Sequence, residues 1–191
     1  MTAARKVISA VVAAVLCGVA MWLWQLYPDL QTKSMDPMRT YGRIGKVITN
    51  DTFSIRIDRY DVATSITKPF ATTAQVTDGI FLVVHLHAKA EHEPYTMGHA
   101  RLETRDGLSY DEGGRIGVSA DAEETYQPML WSPGSLLFEI PKNQLAGARV
   151  VIGAAPILNQ LSAESVIDLG IDGAKAAQLT ARPLAGYQLG G

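Results

Sequence analysis

Four histidines are the residues best suited to chemistry in this chain, and two of them, His85 and His87, stand two apart. On an extended segment, residues i and i+2 point to one face, so both imidazoles could meet one metal ion. His99 lies on the charged face of the next strand-like stretch, and His92, flanked by Glu91 and Glu93, falls in the connection between them. A zinc or copper centre needs three or four such groups converging at about 2.0–2.2 Å. A metal or small-ligand site on the His85, His87 and His99 face is therefore one reading. The plainer one places these side chains on the solvated face of a sheet, where cross-strand His–Glu or His–Arg contacts contribute a fraction of a kcal/mol. The plainer reading is preferred, and no cofactor is expected.

Other chemical templates fail sooner. The stretch "GVSAD" lacks the second glycine of a nucleophile elbow. No glycine-rich loop leads into a helix, so Gly107, Gly113, Gly114 and Gly117 read as turn residues. Asp121, Glu123 and Glu124 lack the spacing and pivot glycine of a calcium loop and read as solvated acids. Cysteine occurs once, at Cys17 in an apolar block, which excludes a disulfide or a cysteine nucleophile in the remainder. The expectation is a protein that is not an enzyme.

The elements that would carry these residues are short strands. In "FSIRID", Phe53, Ile55 and Ile57 alternate with Ser54, Arg56 and Asp58. "IFLVVHLHAKA" (80–90) is rich in β-branched residues and apolar on both faces at first, as a central strand is. In "HARLETRDG", Ala100, Leu102 and Thr104 share one face, His99, Arg101 and Glu103 the other, and Asp106-Gly107 ends the run in a turn. "LLFEI" sets Leu136, Phe138 and Ile140 inward, with Pro133-Gly134 expected as the corner before it and Pro141 as its stop. Adding "GRIGKVI" (42–48), "ARVVIGA" (148–154) and "SVIDLG" (165–170) brings the series to about seven strands. The only helical pattern after residue 28 is a short one at "DGAKAAQL" (172–179). The expected class is all-β, an antiparallel sandwich or barrel. Two stretches, 63–79 and 111–134, show little alternation and read as long loops. In the second, Tyr126, Met129, Leu130 and Trp131 could form an apolar anchor for a partner, or tuck under the sandwich as a core plug.

Residues 7–27, "VISAVVAAVLCGVAMWLWQLY", hold no charge and would make a helix of roughly 30 Å, the thickness of a bilayer core. Arg5 and Lys6 precede it, which orients the N-terminus to the cytoplasm and the remainder outside. Trp22, Trp24 and Tyr27 would form the outer aromatic belt. A cleaved signal peptide competes, with small residues at "GVA", but "MWLWQL" continues the apolar run past that point. Leu16 before Cys17 argues against lipid attachment. The expected organisation is a cytoplasmic N-terminus (1–6), a transmembrane helix (7–27), a linker (28–40), a sandwich (41–170) and a C-terminal tail (171–191).

Composition agrees with one globular domain: the chain is 47% hydrophobic and 19% charged over 191 residues. Without Arg5 and Lys6, 15 basic residues face 19 acidic ones, a balance of -4 that argues against a nucleic-acid partner.

Four pieces in order, "ITNDTFSIRIDRYDV", "DGIFLVVHLHAKA", "ARLETRDGLSY" and "SPGSLLFEIP", resemble the telokin-like, immunoglobulin-like extracellular domain family of unknown function. That family is common in Gram-positive envelope proteins, and its fold is shared with the immunoprotective extracellular antigens. The resemblance spans roughly residues 41–155. It departs at the charged, histidine-bearing turn of "HAKAEHEPYT" and in a long segment after residue 156. What it implies is an immunoglobulin-like extracytoplasmic sandwich with no assigned catalytic residue. The combined expectation is a single-pass envelope protein, its domain outside the cell membrane, acting as a non-enzymatic module for another envelope or membrane protein.

Overall fold

The computed structural model describes residues 3–25, 37–68, 71–114, 125–154 and 162–189. Two compact units divide the chain, Met1–Asp36 and Pro37–Gly191.

The first unit holds helix α1, Ala3–Gln25. Its side chains are described over residues 11–22, roughly 18 Å of helix. Val11, Val12, Val15, Leu16, Val19, Met21 and Trp22 are all exposed there. Among the described residues no helix is long and apolar enough to cross a membrane, so the transmembrane segment expected over 7–27 is not shown.

The second unit is a two-sheet β-sandwich. Its strands are β1 (Met38–Arg43), β2 (Ile48–Thr49), β3 (Phe53–Thr67), β4 (Gln75–Ala90), β5 (Tyr95–Glu103), β6 (Ser109–Asp111), β7 (Thr125–Tyr126), β8 (Ser132–Ile140), β9 (Arg149–Ala154), β10 (Ala163–Asp168) and β11 (Tyr187–Gln188). A nine-residue helix, α2 (Gly173–Ala181), lies between the last two. One sheet runs β1-β10-β9-β5-β6, with β7 on β5; the other runs β11-β3-β4-β8, with β2 on β3.

Alternation explains the core. Phe53, Ile55 and Ile57 of β3, Leu82, Val84 and Leu86 of β4, Leu102 of β5, Leu136, Phe138 and Ile140 of β8, and Val150 and Ile152 of β9 meet between the sheets, each at most 1% exposed. Segments beyond residue 170 pack on the same unit. Asp172 caps α2 by accepting from the Lys175 amide at 2.8 Å, and Ala176 and Leu179 join the core. Leu189 closes a smaller apolar cluster with Ile66, Phe81, Val83 and Leu137 on the outer side of β4.

Several expectations need correction. Eleven described strands replace about seven, because β2, β7 and β11 have two residues each and β6 three, too few to show a period. Two pairings, β1–β10 and β11–β3, are parallel, where an antiparallel sandwich was expected. "GRIGKVI" straddles a turn at Gly45 (φ +78°) instead of forming one strand. Residues 63–79 are largely strand: β3 runs to Thr67 and β4 starts at Gln75, while a register shift at Ala63/Ser65 breaks the visible alternation. Pro133-Gly134 is not a corner. Both residues lie in β8, paired with His87 and Leu86. β8 is the outermost strand of its sheet, where a proline is tolerated. A Cβ on Gly134 would sit 2.6 Å from Tyr126 Oη, so glycine there makes room for that ring. Of the expected linker, residues 38–40 belong to β1 and 28–36 lie outside the described residues.

Candidate functional site

The three histidines do not converge. His85 and His87 point outward from β4, between the core residues Val84, Leu86 and Ala88. His99 points outward from β5, which belongs to the other sheet. The two groups face away from each other on opposite sides of the sandwich. Among the described residues no cluster of three or more metal-ligating side chains occurs. This topology sets His99 apart from His85 and His87.

Each histidine instead has a carboxylate. A register shift between Ile57 and Arg59 re-aims Asp58 beside His87, whose Nδ1 lies 2.5 Å from Asp58 Oδ2. His85 Nε2 lies 3.0 Å from Asp61 Oδ2 and 3.2 Å from Tyr187 Oη. A carboxylate only accepts, so each imidazole donates through the nitrogen facing it. Burial, reinforced by the charge of Asp61, pushes the Tyr187 phenol up from its ordinary value of 10.0. Desolvation works against the charge on Asp58, but hydrogen bonds from His87 and Arg56 outweigh it and hold the carboxyl below its ordinary value of 3.8.

A depressed carboxyl stabilises the fold at any pH above its unfolded value, and that contribution is lost as pH falls through the lower folded value. The urea midpoint should therefore decline below about pH 4. Asp58→Asn should flatten this acid limb, read from midpoints measured at closely spaced pH values.

Another polar assembly lies on the opposite face, in a single row across four strands. The register aligns Arg39 with Glu164, Glu164 with Gly153, and Gly153 with His99. The Glu164 side chain is only 1% exposed, although it points out of the sheet. Arg39 Nε donates to its Oε2 at 3.0 Å, Arg101 Nη2 reaches Oε1 at 3.1 Å, and His99 Nε2 donates to Oε1 at 3.0 Å. Glu103 joins the two guanidiniums, 3.0 Å from Arg39 and 3.4 Å from Arg101. Burial disfavours the Arg39 charge, yet Glu103 and Glu164 outweigh it and raise the pKa.

Gly153 is what lets the row close. A Cβ there would stand 2.2 Å from His99 Cε1, so the ring lies directly over the glycine on its way to Glu164. Gly153→Ala should displace the imidazole and cost about 1–3 kcal/mol. In a His99→Ala background most of that penalty should vanish, which a double-mutant cycle by urea unfolding would show.

Hydrogen bonds from Arg39, Arg101 and His99 occupy both oxygens of the Glu164 carboxylate. What remains available is the outer edge of the guanidiniums, held in fixed planes beside Tyr41, which is 67% exposed on the same face of β1. Sequence inspection set Arg101 on the outward face beside His99 but missed Arg39 and Glu164 as their partners. Glycine inside the strand "ARVVIGA" was the one available sign of a close approach.

The apolar partner-binding candidates divide. Tyr126 is 1% exposed and stacks 6.0 Å from Tyr95, which stacks at 4.5 Å on Phe53, so it plugs the core. Burial pushes the Tyr95 phenol well above its ordinary range. Met129, Leu130 and Trp131 stay exposed, and Trp131 carries Lys89 Nζ 5.7 Å from its ring centroid. Asp121, Glu123, Glu124 and Gly117 lie outside the described residues.

No family model matches the chain. No curated protein matches it either. Among solved structures it is similar to an uncharacterized beta-sandwich protein from Clostridium difficile 630, at 12% identity and TM-score 0.43, covering 70% of this chain and 95% of that one. The yjhA protein from Bacillus subtilis is similar at 13% identity and TM-score 0.49, over 66% of this chain and 99% of that one. A secreted protein from Mycobacterium tuberculosis, MPT63, is similar at 13% identity and TM-score 0.45, over 69% and 97% of the two chains. Likenesses this distant carry nothing about activity, and the β-sandwich stands on this chain's own two sheets and shared core.

Proposed function

We propose that this chain is a membrane-anchored, extracytoplasmic accessory module that captures another protein of the bacterial envelope and performs no catalysis. The observation that carries the binding role is the outer face of the sheet β1-β10-β9-β5-β6. There the buried carboxylate of Glu164 fixes Arg39, Arg101 and His99, while Tyr41 and Arg43 stand exposed beside them. Tyrosine and arginine dominate the energetics of protein interfaces, and side chains already held in place lose less entropy on binding.

The anchor rests on α1. Residues 7–27 carry no charge, and α1 holds all but the last two of them. An anchor confines partners to a surface and raises their effective concentration, so modest contacts suffice.

Gentle detergent extraction followed by mass spectrometry should recover one envelope protein in stoichiometric amount with the wild-type chain. Tyr41→Ala with Arg43→Ala should lose it while leaving the fold intact. Recovery unchanged by these substitutions would remove the face from the proposal. A C-terminal reporter active only in the cytosol would remove the topology.

A further inference from the structure

We infer that residues Met129, Leu130 and Trp131 form a shallow insertion tip that rests in the interface of a zwitterionic phospholipid bilayer; this rests on the anchored reading above. These three are the only consecutive large apolar residues standing exposed on the sandwich among the described residues, at 90%, 59% and 39%. Met129 adopts φ +63°, a conformation that non-glycine residues seldom take, in the connection between β7 and β8. Lys89 lies over the Trp131 ring, an arrangement in which an indole sits at headgroup level and the ammonium reaches water.

The strand register says why a bilayer is the occupant. Met38 at the start of β1 aligns with Ala163, and Glu164 with Gly153. Ala154 aligns with Met97, Tyr95 with Tyr126, and Pro128 bridges to Ala90. The chain thus enters the sandwich at Pro37 on the same end that bears the tip, a few strand widths across. Eleven residues, 26–36, join α1 to that end, and a chain of that length reaches at most about 40 Å. On the anchored reading, those eleven residues tether the tip's end of the sandwich to the membrane. Asp51 and Glu93 are exposed at this end as well, which favours zwitterionic over anionic headgroups.

The test uses the full chain with Cys17→Ser, carrying either Leu130→Cys or Leu108→Cys and a fluorophore on the new thiol. Leu108 is exposed in the β5–β6 turn, roughly 26 Å further along β5. Each protein is reconstituted into phosphatidylcholine vesicles with brominated acyl chains, and quenching is read before a carbonate wash. Insertion to about 5–10 Å should quench the label at 130 at least about twofold more than the label at 108. Adding anionic lipid should not increase that difference. Equal quenching at both positions overturns the inference. So does a label at 130 that is shielded without lipid quenching, which would assign the tip to a second copy or to a protein. Retention after the wash reports on the anchor separately, so its failure and failure of the tip are distinguishable.

Discussion

Phe138→Ala is expected to lower the unfolding free energy by about 3–5 kcal/mol, the range for deleting a fully buried ring. Phe138 has no exposed surface, pairs with Leu82 across the β4–β8 ladder, and sits between Leu136 and Ile140 in the core. Its strand cannot easily collapse into the cavity, because β8 is held along its length by β4 and caps the sheet edge. His87→Ala, on the outer face of the same sheet, should cost under about 1 kcal/mol, since the imidazole is 39% exposed and its partner Asp58 can turn to water. Urea unfolding of both variants gives the comparison. A larger loss at His87 than at Phe138 would mean that the faces of β4 and β8 are exchanged.

That contrast is legible in the sequence alone, because it depends only on a period of two. Phe53, Ile55 and Ile57, then Leu136, Phe138 and Ile140, alternate cleanly and all fall in the core. Ala100 and Leu102 inward with His99 and Arg101 outward follow in the same way. Where the chain changes phase, the pattern fails. The shifts at Ile57/Arg59 and Ala63/Ser65 move Asp58 beside His87 and let β3 run to Thr67, and neither leaves a mark in composition. Pro133-Gly134 misleads for a related reason. The dipeptide is common in turns, yet an outermost strand accepts the proline and the Tyr126 ring requires the glycine.

The row around Glu164 is less legible still. Arg39 and Glu164 are 125 residues apart, and His99 and Glu164 are 65 apart. Their meeting depends on the order of four strands, including a parallel pairing of β1 with β10 that closes from the far ends of the domain. No local spacing encodes such a row. His99 stands out as a chemical residue but invites the wrong neighbours, because β4 and β5 are adjacent in sequence and belong to different sheets.

Glu164→Ala should therefore act both on stability and on β1. A carboxylate 1% exposed that loses its side chain leaves Arg39, Arg101 and His99 facing one another without the charge that gathers them. Removing one partner of a buried ion pair costs about 3–5 kcal/mol when the survivor stays buried. Here the survivors are 27–34% exposed and can turn partly to water, which reduces the expected cost to about 2–3 kcal/mol. Arg39 ties β1 to both Glu164 and Glu103, so the amides of β1 should exchange faster with solvent deuterium than those of β4 in the same variant. Pairing Glu164→Ala with Arg101→Ala should cost less than the two single losses added together, by about 1 kcal/mol or more, since both remove one interaction. Strict additivity, with β1 exchange unchanged, would mean that the row does not hold the strand or preorganise the arginines, and the binding face would lose its physical basis.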